Sequence, residues 1–172
     1  MLGAAPGDPS SGLRLPVVAT VRHCEPDARV MVLRAVDQAS HTLRFYSDTR
    51  AAKITTLAST PRIAVTGYDT ANRLQLRLGG LASIITDTGA DAAWSALTAT
   101  GRTAYQSLEP PGTPVAELPH PSEIPADSGR RHFAIVAIML DRFEWLDLAV
   151  PGHRRALHLR DGADWRGSWL VP

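Results

Sequence analysis

Apolar and polar positions alternate in short runs along most of the chain, and only twice does the period lengthen. Residues 29–36 (RVMVLRAV) are dense in β-branched and apolar side chains and predict a buried strand. Turn residues fill 37–40, and 42–47 (TLRFYS) alternates, so the two runs predict a hairpin. Residues 62–68 and 72–86 predict two more strands. The second carries a Gly79-Gly80 pair that marks a bulge or a barrel corner. Residues 132–140, continued by 142–147, predict one long strand, and 156–159 with 165–170 predict a closing hairpin around Asp161-Gly162. Residues 13–20 predict a short helix or strand leading into the body.

The longer period appears first at 49–59, where Ala52, Ile54, Leu57 and Ala58 fall near helical spacing. Asp48 is placed to cap that helix and Pro61 to stop it. It appears again at 87–100, with Ala93, Trp94, Leu97 and Thr98 on one face, and 102–105 offers a further turn. The stretch 106–131 holds six prolines and predicts a long irregular loop, of a kind usually functional or packed on a partner. Residues 1–12, rich in Gly, Pro, Ala and Ser, predict a flexible tail before a single domain at 13–172. The sum is six or seven strands and two or three helices. Their order, strand-strand-helix-strand-strand-helix, excludes the alternating βαβ of a doubly wound fold. It predicts an α+β fold, mainly β: a mostly antiparallel barrel with helices packed outside.

Composition narrows the function classes. A chain of 172 residues can bury one ordinary core, about 70% of its unfolded surface. With 44% hydrophobic and 20% charged residues it is globular in composition. A net charge of +1 argues against a general nucleic-acid or membrane-surface binder. A single cysteine, Cys24, excludes an intramolecular disulfide and a cysteine-based zinc site. The longest apolar run, 134–140, is too short to span a bilayer. The N-terminus lacks the basic-then-apolar layout of a secretory signal, so a cytoplasmic location is expected.

No nucleophile elbow, Gly-rich phosphate loop or metal-spaced histidine pair is present. His153 and His158 stand five apart in a hairpin region, and His23 beside Cys24 on an extended strand would point to the opposite face. What remains is a scattered set of cations and amides. Arg29 and Arg34 bracket one strand. Arg50 and Lys53, the sole lysine, sit at a helix start, where free N–H groups also favour an anion. Gln75 lies on a central strand, Gln106-Ser107 follows the second helix, Trp145 ends the long strand and Arg155 begins the last hairpin.

Taken in order and spacing, RVMVLRAV, LRFYSDTRAAKITTLASTPR, RLQLRLGG, YQS, FEW and HRRALHLRDGADWRGSWLVP resemble the pyridoxamine 5′-phosphate oxidase family, the FMN-binding split β-barrels. The resemblance runs from about Leu13 to Pro172, and is closest to smaller members with a TDxRSxK-like helix start, here Ser47-Asp48-Thr49-Arg50-Ala51-Ala52-Lys53. It implies an FMN cofactor and assigns its contacts. The strand Arg29, Val30, Met31, Val32, Leu33 and Arg34 would lie along the flavin, with Arg29 reaching the phosphate. Tyr46 and Ser47 would stand beside ring and phosphate, and Arg50 and Lys53 would hold the phosphate. Gln75 would reach the flavin from the neighbouring subunit. Gln106 and Ser107 would contribute from the loop after the second helix, and Trp145 and Arg155 would close the ring side. His153 would face the substrate.

The resemblance further implies an oxidoreductase on a small organic substrate, working as a homodimer with FMN at the interface. The flavin would carry the redox chemistry and the protein the binding and electrostatics, which accounts for the missing acid–base constellation. Four positions depart from the family. Gly89, Ala93 and Leu97 stand where a Tyr, an Arg and a Ser hold the substrate's phosphate, and Pro151 replaces the arginine before His153. These departures argue against pyridoxamine 5′-phosphate as substrate. They keep open a non-catalytic flavin carrier or sensor, and a barrel that has lost FMN or uses deazaflavin or haem.

Overall fold

The computed structural model describes residues 1–117 and 129–172. Nine strands form one antiparallel sheet: β1 (Val17–Arg22), β2 (Glu25–Val30), β3 (Leu33–Asp37), β4 (Thr42–Asp48), β5 (Arg62–Asp69), β6 (Leu74–Ile85), β7 (Phe133–Asp147), β8 (Arg154–Asp161) and β9 (Asp164–Leu170). They run in the order β2-β1-β5-β6-β7-β4-β3, with β8 and β9 added beside β7. Only Met31 and Val32 join β2 to β3, the two ends of that path. Two residues reach roughly 10 Å at most, whereas seven strands laid flat span about 29 Å. The sheet must therefore roll until its edges approach, which makes a barrel split between β2 and β3.

The expected single strand at 29–36 is thus two strands. The Met31 N–H donates to the carbonyl of Pro16 (3.1 Å), one pair beyond the end of the β1–β2 ladder, and the register of β3 on β4 slips between Leu33 and Ala35. The chain turns a barrel corner there. Pro26 is tolerated in β2 because β2 is an edge. His23 and Cys24 form the β1–β2 turn, both with positive φ (50° and 65°), rather than lying on a strand.

The long strand β7 serves both halves of the fold. Its first half pairs with β4, from Phe133 against Asp48 to Met139 against Thr42. Its second half pairs with β8, from Arg142 against Leu159 to Asp147 against Arg154. On its other edge β6 follows it throughout, with a bulge at Gly79–Gly80 as the sequence predicts. The barrel fills by strand alternation: Val18, Leu43, Phe45, Ile63, Val65, Leu76, Leu78 and Ile138 all point inward. The N-terminal segment is not a free tail. Leu2–Gly7 forms a 3-10 turn that seats Ala5 in the core, and Gly12–Arg14 forms another that seats Leu13. Small and apolar side chains let this segment plug one end of the barrel.

Helix α1 (Ala52–Ser59) starts later than expected, and Ala51 rather than Asp48 occupies its N-cap position. The second expected helix is broken into a 3-10 turn (Thr88–Ala90), α2 (Asp91–Ser95) and α3 (Ala99–Thr103). Thr98 does not share the apolar face; its Oγ1 accepts the Gly101 N–H (3.0 Å) and caps α3. Gly101 and the threonines around it are poor helix formers, so the cap prevails over continuation. Ala93, Trp94 and Leu97 still pack together, against a second small core of Ala90, Tyr105, Phe133 and Ile135. No helix among the described residues is long and apolar enough to cross a membrane. Part of the proline-rich stretch, 118–128, lies outside the described residues.

Candidate functional site

The split between β2 and β3 opens a cleft of about 280 Å³ beside the end of β4 and the start of α1. It is lined by eight residues expected at a flavin: Arg29, Val30, Met31, Val32 and Arg34 from the corner, Tyr46 and Ser47 from β4, and Lys53 from α1. Leu33 is an exception within the corner. It is 1% exposed and points into the barrel core, because alternation turns it away from its neighbours. Asp48, Ala51 and Tyr105 also line the cleft, although the sequence assigned none of them a flavin contact and gave Asp48 the role of a helix cap.

The charges sort into paired and unpaired. Arg29 pairs with Asp27 and also donates to Thr20 Oγ1 (3.0 Å) and the Val18 carbonyl (3.3 Å). Asp48 is buried and held by Arg50, through Nε to Oδ1 (3.0 Å) and Nη2 to Oδ2 (2.7 Å). Burial works against the Asp48 charge, but the Arg50 hydrogen bonds and charge outweigh it and hold the carboxyl below its usual range. Lys53 has only the Ser47 hydroxyl, with Nζ at 3.4 Å from Oγ. Burial first, then repulsion from Arg29, pulls its ammonium below the usual lysine value. Arg34 lies over the Tyr46 ring at 5.2 Å. Among the described residues, Lys53 and Arg34 thus bring about two positive charges that no carboxylate neutralises.

Arg50 needs a correction. It does not face the cleft as a free phosphate cation. Besides Asp48 it donates to the carbonyls of Ser107 (2.9 Å) and Leu108 (3.1 Å) and to Ser107 Oγ (3.2 Å). It bolts the segment after α3 to the end of β4. Ser107 is consequently taken up by Arg50 and the Glu109 carbonyl, and Gln106 packs beside Gly129; neither lines the cleft. The neighbour that does is Tyr105, fixed edge-on to Phe133 (5.1 Å) and Trp94 (5.9 Å). Ala93 and Leu97 pack on that same cluster and Gly89 sits exposed, so none of the three stands in the cleft.

The remaining expected residues lie elsewhere in the chain. Along β7, Tyr46 pairs opposite Ile135 while Gln75 pairs opposite Leu146, at the strand's other end. Trp145 packs edge-on to Trp169 (5.7 Å), and Arg155 lies across β7 from Gln75, both paired with Leu146. His153 is exposed in the β7–β8 turn with φ 47°. At this end Glu144, 1% exposed, is gripped by three arginines: Arg77 (3.1 Å), Arg142 (2.5 Å) and Arg155 (2.6 and 2.9 Å). Burial opposes the Glu144 charge, but the bonds from Arg142 and Arg155 and the charge of Arg77 hold it low. Nothing in the sequence marks Glu144; only the strand register brings the three arginines to it.

Residues 7–86, which include the β2–β3 corner, the β4 end and α1, match the family model described as pyridoxamine 5′-phosphate oxidase, FMN-binding domain. The fold extends the likeness over the rest of the chain. A pyridoxamine 5′-phosphate oxidase-related, FMN binding protein from Nostoc punctiforme superposes with a TM-score of 0.82 at 24% identity, covering 92% of this chain and 88% of that one. PhzG from Burkholderia lata, in complex with tetrahydrophenazine-1-carboxylic acid, gives 0.74 at 17% identity over 92% and 82%. An F420 reductase gives 0.50 at 22% identity over 76% and 89%. No curated protein matches the chain. The chain therefore shares the split-barrel fold of these structures, mainly antiparallel β with a few short helices.

Proposed function

We propose that the chain is an FMN-dependent oxidoreductase of the pyridoxamine 5′-phosphate oxidase type, acting on a small organic substrate. The observation that carries this is the unneutralised charge of Lys53 and Arg34 in a cleft that also holds Arg29. A phosphate monoester carries about −1.5 to −2 at neutral pH, and a cleft with surplus positive charge favours such an anion. Arg29, Ser47 and Lys53 would hold the phosphate, and the corner backbone and Tyr46 would border the ring. When bound, the flavin would supply the redox chemistry. The chain's own residues bind it, orient it and shield one side from water.

The same reading makes the chain a homodimer with two flavins at its interface. One cleft of about 280 Å³ is at the small end for a ligand site, and Gln75, Trp145 and Arg155 stand too far along β7 to reach it in their own chain. The outer face of the sheet supports a second copy as the cover. Val17, Tyr68, Leu81 and Met139 are exposed there across β1, β5, β6 and β7, with Ala64 and Gly79 small enough for close approach. Exposed apolar residues gathered on one sheet face mark an interaction surface, and a two-fold dimer is the commonest solution.

Positions 89, 93 and 97 carry no phosphate-binding side chain and stand outside the cleft, so pyridoxamine 5′-phosphate is not the expected substrate. That also supports the second reading, a flavin carrier or sensor without turnover. The visible spectrum of the purified protein tests the first step: bound oxidised flavin absorbs in the blue, haem near the violet. A colourless protein that takes up no added FMN removes the assignment. Reduction of a flavin-loaded protein by no tested donor would favour the carrier.

A further inference from the structure

The broken second helix ends by pressing one phenol into the cleft. Tyr105 is 8% exposed, its ring is clamped by Phe133 and Trp94, its N–H donates to the Arg102 carbonyl (3.0 Å), and its own carbonyl contacts His132 Nδ1 (3.1 Å). Its hydroxyl makes no hydrogen bond among the described residues. Nor is that oxygen sealed from solvent, and Tyr105 lines the cleft. A donor held rigid and left without an acceptor in a binding cleft is preorganised for an occupant. Burial pushes its ionisation up, so the hydroxyl stays a donor.

The cleft has two ends, and Tyr105 belongs to one of them. Lys53, with Nζ 3.4 Å from Ser47 Oγ, marks the phosphate side. Tyr105 packs edge-on to Phe133, which in turn meets Tyr46, and Arg34 lies over the Tyr46 ring at 5.2 Å. We propose that Tyr105 is a further ligand-binding residue, its hydroxyl donating to a polar atom on the rim of the flavin ring and not to the phosphate. The inference rests on the flavin reading above. It also gives the broken helix a role: α2 and α3 lack the side chains that would hold a substrate phosphate, and deliver Tyr105 to the cleft instead.

The test compares FMN with riboflavin, which has the ring but no phosphate. Both are titrated into the wild-type chain and Tyr105→Phe, following flavin fluorescence and visible absorption. Tyr105→Phe keeps the ring in its clamp, so its melting temperature should be unchanged. The expected result is about fivefold weaker binding of both flavins by the same factor, with a shift of the bound flavin's visible bands. Unchanged affinities overturn the proposal. So does a loss confined to FMN, which would put the hydroxyl at the phosphate. Wild-type protein that binds neither flavin removes the flavin reading itself, a result distinct from either.

Discussion

At the scale of single residues, the cleft trades stability for charge at Lys53. Its ammonium is partly buried, next to Arg29, with a hydroxyl for its only hydrogen-bond partner. A lysine whose folded value is depressed penalises the folded state at every pH where the ammonium is charged in both states, and the penalty fades as pH rises past the folded value. Lys53→Met should therefore raise the melting temperature of the flavin-free protein while weakening FMN by tenfold or more, since a charge-assisted bond is worth about 1.5–3 kcal/mol. A variant that loses both stability and flavin would show Lys53 to be structural. Glu144 has the opposite sign. Its depressed value contributes stability that is present above its unfolded value and lost as pH falls through the folded one. Glu144→Gln leaves three arginines facing one another. Because Arg77 and Arg142 keep exposed flanks, the expected loss is about 2–3 kcal/mol, below that of a fully buried pair. Urea unfolding at pH 7 and pH 4 checks it: the wild type should weaken towards acid more than the variant does. These two residues also mark what could be read in advance. Lys53 was legible as the one lysine at a helix start. Glu144 was not, because its partners come from β6, β7 and β8 and meet only through register. Arg50 was legible as a cation but not as a paired one: Asp48, two residues earlier, looked like a helix cap and is its counter-ion.

At the scale of elements, period alone located the β3–β4 hairpin, β5, β6, β7 and the last hairpin, because each has one face in the core and one outside. It erred where tertiary contacts decide. The corner at Met31–Val32 is invisible in an apolar run, since both halves of RVMVLRAV are strand-like and only closure of the barrel demands the break. The second helix broke at a cap, Thr98, that composition disguised as one more face position. The bulge was legible because two glycines in a strand have few other uses. Its necessity is steric: a Cβ on Gly80 would lie 2.2 Å from the Met139 carbonyl oxygen and 3.1 Å from Ile138 Cγ2. Both obstacles are fixed by β7, so the strand must shift. Gly80→Ala should cost about 1–3 kcal/mol by overpacking, read as a lower urea midpoint. Gly79→Ala, whose nearest neighbour is the Arg142 side chain at 3.4 Å, should be nearly neutral. Equal effects at the two glycines would refute the steric account.

At the scale of the whole molecule, the residues expected at a flavin fall into two groups at opposite ends of β7. Arg29, Arg34, Tyr46, Ser47 and Lys53 are at the cleft, while Gln75, Trp145 and Arg155 stand by the Glu144 cage. A two-fold axis through the exposed sheet face would lay the second group of one copy against the cleft of the other. Such an interface has a dry centre in Leu81 and Met139, which are paired across β6 and β7 and both about half exposed. Bordering it are Arg62, opposite Leu81 and paired with Asp141, and Arg77, opposite Thr66 and paired with Glu144. A stable dimer of this kind buries more than about 1,000 Å² in total, and a carboxylate at the centre of it would be stranded without a partner. Leu81→Glu with Met139→Glu should therefore turn a particle of about twice the 18.5 kDa chain mass into one of a single chain. Neither residue lines the cleft or packs in the core, so the monomer should stay folded. Its affinity for FMN should fall by at least tenfold, because the contacts from Gln75, Trp145 and Arg155 leave together. Light scattering and flavin titration on the same sample separate the two claims. A monomer that keeps full flavin affinity would show a site complete within one chain. A variant that remains dimeric would place the interface on another face of the barrel.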